Sequence, residues 1–395
     1  MPKIGGLDPK KSKNILLIVG ILFIAINLRP ALASVGPLIE DIRAATGLSN
    51  ALLGLLTTLP LIAFGLISTL TPLFTRRFGI GGTLLGAMLL LTIGIGIRSI
   101  EWLPALFIGT LMSGIAIAFG NVLLPSLTKR NFDSNSGLIT SLYSSVMAVG
   151  AALAAGISVP LAHDFELGWR GSLGVWAILS LIALLVWLPQ LFRLKKSSSN
   201  RSYLKAMKKL GGSRIAWQVA LFMGFQSLTF YVILAWLPAI LQSRGYDASF
   251  SGWMLSLSQA TGILGALSIP FFAGKKKDQR GIVVFLIIIE LIGLVGLFLP
   301  QLGGVAIWVA LIGFVMGGSF GLSLLFIVLC SKDAESATEL SGMAQSVGYL
   351  VAGVGPIIFG SIFDFTGSWT YPFILLFVVS FLKLITGLGV GKPAR

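Results

Sequence analysis

Apolar residues gather in long runs along this chain, and polar, charged and turn-forming residues fall between the runs. A run of about 20 residues, at roughly 1.5 Å per helical residue, matches the 30 Å hydrocarbon core of a bilayer. Twelve such runs can be read, at about 14–36, 50–73, 81–99, 103–126, 137–160, 170–190, 215–241, 250–272, 281–299, 304–329, 341–363 and 369–390. A span in lipid must satisfy its own backbone, so each is expected to be a helix. The expected fold is all-α: a polytopic membrane protein of twelve transmembrane helices. The first run lacks the flanks of a cleavable signal peptide and reads as a true span.

Composition supports the spans. Hydrophobic residues make up 55% of the chain and charged residues 11%, about half the charge of a water-soluble domain. The formal net charge of +15 could suggest nucleic acid, but its distribution does not. Basic residues fill the N-terminal tail, then 76–77, 129–130, 193–214, 275–280, Lys332 and the C-terminal end, on alternate inter-span segments. The intervening loops hold Arg43, Arg98, Arg170 and Arg244. By the positive-inside rule both termini are cytoplasmic, in a cell inner (plasma) membrane. The basic loops suit anionic lipid headgroups, and no nucleic acid is needed. A single cysteine, Cys330, excludes an internal disulfide.

The widest loop, 191–214, lies near the midpoint and divides an N-terminal six-helix bundle (1–190) from a C-terminal one (215–395). Within it, Tyr203, Leu204, Met207 and Leu210 form an apolar stripe among Lys205, Lys208 and Lys209. That stretch reads either as an amphipathic helix on the inner leaflet or as a solvated basic loop. The two sides of the linker repeat weakly. A shift of 198 residues brings Gly54 onto Gly252 and Pro72 onto Pro270, and a shift of 201 brings Pro37 onto Pro238 and Phe119-Gly120 onto Phe320-Gly321. Six spans per half insert both halves with the same polarity, the parallel-repeat arrangement of major facilitators.

Particular stretches sharpen this. Asn27-Leu28-Arg29-Pro30 with Ser34-Val35-Gly36-Pro37-Leu38, Gly120-Asn121-Val122-Leu123-Leu124-Pro125, Ala235-Trp236-Leu237-Pro238 and Ser341-Gly342-Met343-Ala344-Gln345 resemble the cyanate and nitroimidazole transporter subfamily of the major facilitator superfamily. The likeness spans essentially the whole chain and is nearer to the nitroimidazole branch. The superfamily's loop pattern Gly-x-x-x-Asp-Arg-x-Gly survives in the second half as Gly274, Asp278 and Gly281, with Gln279 at the Arg position. In the first half Pro72 and Arg76 stand at the Gly and Asp positions, while Arg77 and Gly79 are retained. A basic residue at the Asp position argues against the usual charge latch there.

Arg29 is the most informative residue. It lies near the middle of span 1, where a guanidinium that cannot lose its proton costs about 3 kcal/mol or more. It is expected to contact substrate or counter-ion; the structural alternative is bridging carbonyls freed by Pro30 and Pro37. The resemblance implies a cavity lined by spans 1, 2, 4, 5, 7, 8, 10 and 11. Polar residues on those spans are Asn27, Asn121, Tyr143, Gln226, Tyr231, Gln259, Gln345 and Tyr349. One cation among neutral amides and phenols suits a small anion or an oxygen-rich group. Glu290, in span 9, is the carboxylate at membrane depth. Because span 9 is expected at the periphery, Glu290 reads as a structural partner, with Lys383 of span 12 as the candidate, and proton coupling is the alternative reading. Trp236 reads as an interface anchor, and Gly313 with Gly317 as a small-xxx-small packing pair.

These residues together predict a secondary transporter working by alternating access on a small anionic or polar nitrogen-containing solute, cyanate- or nitroimidazole-like, with H+ as a candidate coupling ion. No nucleotide-binding loop, cofactor motif or metal cluster is evident, and a monomer is expected. An exporter of drugs or metabolites with the same fold is one alternative. An integral membrane transferase is the other; it would need catalytic groups of which His163, beside Asp164 and Glu166, is a poor example.

Overall fold

The computed structural model describes residues 9–48, 50–194 and 203–392. Its helices run in order α1 (Pro9–Asn27), α2 (Pro30–Ala33), α3 (Ile39–Thr46), α4 (Asn50–Arg98), α5 (Leu103–Asn131), α6 (Ser136–His163), α7 (Gly168–Arg193), α8 (Tyr203–Gly211), α9 (Arg214–Gln242), α10 (Ala248–Gly274), α11 (Arg280–Phe298), α12 (Val305–Leu329), α13 (Ala334–Thr366) and α14 (Thr370–Val390). Eleven candidate spans, judged by length and composition, occur among the described residues. One of them, Thr58–Arg98 within α4, is 41 residues long, enough for two crossings. Gly79, at φ 72° and ψ 169°, breaks α4 there. That backbone region is essentially open only to glycine. The expected loop between spans 2 and 3 is thus reduced to one kinked glycine, and twelve spans result. The 203–211 stripe is helical, as α8. Residues 195–202 of the linker, residue 49 and the extreme tails lie outside the described residues.

Span 1 is also interrupted. Its sequence predicts one helix over 14–36, but α1 stops at Asn27 and the one-turn α2 starts at Pro30, with Arg29 as its N-cap residue. Proline brings no N–H and cannot continue the ladder, so the chain steps sideways where the charged residue sits.

Small residues bring the helices close. A Cβ on Gly265 or Gly317 would collide with the backbone of Phe314 or Gly262 respectively, which welds α10 to α12. Trp187 of α7 lies against Gly20 of α1 and donates to the Gly81 carbonyl at 3.0 Å, tying spans 1, 3 and 6. Between α11 and α14, the Lys383 Nζ stands 2.7 and 2.6 Å from the two carboxylate oxygens of Glu290, both residues buried.

The two six-span halves meet near their basic ends. Ser346 of α13 donates to the Gly65 carbonyl of α4. Thr338 of α13 bonds Ser126 of α5 at 2.8 Å, and Arg76 pairs with Glu339 at 3.4 Å. On the other side of the seam, Ser141 donates to the Leu267 carbonyl and Ser144 to that of Ala266, the latter at 3.2 Å. Here α6 and α10 touch through two glycines: a Cβ on Gly274 would stand 2.5 Å from the Cα of Gly137. A second space at this end, about 1300 Å³, is edged by Arg76, Lys129, Arg130 and Lys332 with Asp333, Glu335 and Glu339.

Candidate functional site

Beyond this seam, toward the end away from the basic loops, a central pocket of about 690 Å³ opens between the halves. Arg29 enters it from the break in span 1. Its guanidinium carbon lies 5.0 Å from the centroid of the Phe320 ring, and the group interacts with the hydroxyls of Tyr231 on α9 and Tyr349 on α13. The wall also carries Gln226, Gln259, Ser144, Ser227 and Ser258, with Phe230, Met147 and Met316 supplying apolar surface. No carboxylate lines the pocket among the described residues. The cation is therefore held by a π face and two phenols, which leave its charge uncancelled.

The amides differ in readiness. Gln226 Nε2 donates to the Met223 carbonyl at 3.1 Å and lies 2.6 Å from Ser227 Oγ, so its amide is already committed within α9. Gln259 Nε2 is buried without an acceptor among the described residues, leaving a donor available on the pocket wall. The pocket can thus offer Arg29, an amide N–H and hydroxyls to an oxygen-bearing group, and flat apolar surfaces to the rest of the molecule.

Five of the expected residues converge here: Arg29, Gln226, Tyr231, Gln259 and Tyr349. Four are elsewhere. Asn27 donates to the Phe23 carbonyl at 2.8 Å and the Leu179 carbonyl at 3.3 Å, bonding span 1 to span 6. Asn121 sits behind the wall with its Nδ2 3.5 Å from Tyr349 Oη. Tyr143 and Gln345 are fully buried and off the pocket lining. Gln345 meets no hydrogen-bond partner among the described residues. Phe230, Phe320, Met147 and Met316 were not anticipated, because apolar side chains in an apolar span carry no sequence signal for facing a cavity. Gly313 and Gly317 both line the pocket and pack against α10.

The remaining candidates fall outside. Glu290 pairs with Lys383 on the periphery. Trp236 donates to the Pro356 carbonyl at 3.0 Å within an aromatic cluster with Phe359 and Trp369. His163 is an exposed group 3.1 Å from Asp41. In the first loop pattern Arg76 reaches Glu339 across the seam, so the basic replacement makes an inter-half pair of its own. In the second, Asp278 is chelated by Arg280, whose hydrogen bonds hold the carboxyl down at about 2. Gln279 turns inward onto the carbonyls of Lys276 and Ala273, at 2.5 and 3.3 Å. Arg98 corrects the loop assignment: it is fully buried at the end of α4.

The family model described as Major Facilitator Superfamily matches residues 15–356. The chain belongs to this superfamily. A relative named 2-nitroimidazole transporter, from Escherichia coli (strain K12), is 43% identical over 380 residues, 96% of this chain and 96% of that one. The cyanate transport protein CynX of the same organism is 27% identical over 354 residues, 89% of this chain and 91% of its own. Among solved structures, the facilitator FucP in the outward conformation superposes with a TM-score of 0.78 at 13% identity, covering 95% of this chain and 99% of that one. The subfamily resemblance and the twelve-helix fold are thus shown, and this facilitator is a transporter rather than a membrane transferase.

Proposed function

We propose that this facilitator carries a small planar solute with a negatively charged or oxygen-rich end, a nitro-heterocycle or small organic anion, by alternating access through the Arg29 pocket. The observation that carries the reading is an uncancelled guanidinium, packed on Phe320 and beside two tyrosines, in a pocket whose described lining holds no carboxylate. Oxygen atoms of the cargo meet Arg29 and Gln259, and its ring lies among Phe230, Phe320, Met147 and Met316. The names of the relatives, a 2-nitroimidazole transporter and a cyanate transport protein, support the same chemistry. A lipophilic cation would find nothing acidic to hold it.

The halves, 1–190 and 215–395, rock about this site. With the basic ends taken as cytoplasmic, the contacts at the seam close the inner side, and the pocket faces outward. Both termini then lie in the cytoplasm of a cell whose inner membrane holds the carrier as a monomer, with anionic lipids at the basic loops. An anion moving inward against 100 mV costs roughly 2.3 kcal/mol. Uptake therefore needs a steep gradient or a proton, which can travel on a weakly acidic cargo. A neutral nitro-heterocycle escapes this cost.

Uptake of labelled 2-nitroimidazole and labelled cyanate into proteoliposomes, each with and without a pH gradient, tests the proposal beside Arg29→Ala. Uptake that requires Arg29 supports it. Transport undiminished in Arg29→Ala would refute the assignment of the site.

A further inference from the structure

The break in span 1 leaves backbone acceptors to be satisfied, and their partners point to a second arginine. Pro30 removes the N–H that would have bonded the Ile26 carbonyl. That carbonyl now faces Gly150 of α6, where a Cβ would come within 2.5 Å of it. After the break, the Val35 N–H bonds Leu32 rather than Ala31, so the Ala31 carbonyl has lost its helical donor. Arg98 supplies one: its Nη1 donates to the Ala31 carbonyl at 2.6 Å. The same guanidinium reaches Ser34 Oγ at 3.5 Å and the Leu173 carbonyl of α7 at 3.3 Å. Leu28, on the near side of the break, is lodged against Gly120 of α5.

We infer that Arg98 is the positioning residue for Arg29. It is fully buried, in a setting where a guanidinium is costly unless its donors are used. Its fork spans two elements at once: the displaced turn that follows Arg29, and the neighbouring span 6. A planar fork can hold a carbonyl on each side at once, whereas the single ammonium of lysine is a point donor. Arg98 thereby fixes where the Arg29 side chain enters the pocket, without touching the pocket itself. The inference rests on Arg29 being the group that meets the cargo.

A test without cargo comes first. In a Cys330→Ser background, the Arg29→Cys and Ser258→Cys thiols are labelled with a small water-soluble methanethiosulfonate, with Arg98 intact and with Arg98→Lys, which keeps the charge. The expected result is a several-fold change in rate at position 29 and none at position 258. Equal rates at position 29, or parallel changes at both positions, would overturn the inference. The second test is a double-mutant cycle on 2-nitroimidazole uptake with Arg29→Ala, Arg98→Lys and both. Displacing a contact group by about 1 Å can cost on the order of 100-fold. The double variant should lose no more than Arg29→Ala alone, because the two residues act through one contact. Additive losses would mark Arg98 as a merely structural residue. If Arg29→Ala alone leaves uptake unchanged, the site assignment fails while the labelling result still decides the role of Arg98.

Discussion

The ion pair between Glu290 and Lys383 offers a sharp test of where protons do not go. Its nitrogen lies 2.7 and 2.6 Å from the two carboxylate oxygens, and each side chain is 1% exposed. Neither partner lines the central pocket. Two charges so placed repay their desolvation only through each other, and removing one leaves the other stranded at a cost of about 3–5 kcal/mol. Replacing both with apolar residues of similar volume is close to neutral or stabilising. Glu290→Gln and Lys383→Met should therefore each lower the thermal midpoint of the purified transporter, and Glu290→Leu combined with Lys383→Met should restore it. Uptake into proteoliposomes, with and without a pH gradient, should follow stability and nothing else. A double variant as stable as the wild type but unable to respond to the pH gradient would refute the bracing role and make Glu290 a coupling group.

Three further outcomes are expected. Arg29→Ala and Arg29→Lys should both cut transport steeply, to a small residual rate, while the protein still reaches the membrane; full activity in Arg29→Lys, measured by uptake, would show that charge alone is used and not the planar fork. Gly79→Ala should destabilise the carrier by about 1–3 kcal/mol, since φ 72° with ψ 169° is strained for any side chain; an unchanged thermal midpoint would contradict this. Burial pushes the Cys330 thiol up to about 11, so it stays protonated through neutral pH. Its maleimide labelling rate should rise about tenfold per pH unit from 7 to 9 without levelling, because only the thiolate reacts; a plateau near pH 8.5 would count against it.

The spans were legible because continuous apolar runs of bilayer length have few other uses. The Glu290–Lys383 pair was legible too: two lone charges on neighbouring peripheral spans have few other partners. The break in span 1 was marked by Pro30, but the direction of the step depends on what the freed carbonyls meet. Arg98 was hidden for that reason, since by position it ends a span and only its contact with Ala31 shows that it points inward. Asn27 misled in the opposite way. Its type suited a site, yet an amide can equally bond back to the carbonyl four residues earlier, and here it bonds Phe23 and Leu179. A sequence shows which residues are polar, but not which side of a helix faces the gap between the halves.

The glycine pair at the seam sets a limit on the whole cycle. Gly137 and Gly274 let α6 and α10 seal the basic end only because neither has a side chain. On the proposed alternating-access cycle, a methyl group at either position is a wedge against the closed basic end described here. Overpacking of this kind costs about 1–3 kcal/mol. A bias of about 2 kcal/mol changes the ratio of the two conformations roughly thirty-fold. The smallest possible substitution there would thus act as a throttle, holding the carrier open to one side while every residue that touches the cargo stays in place.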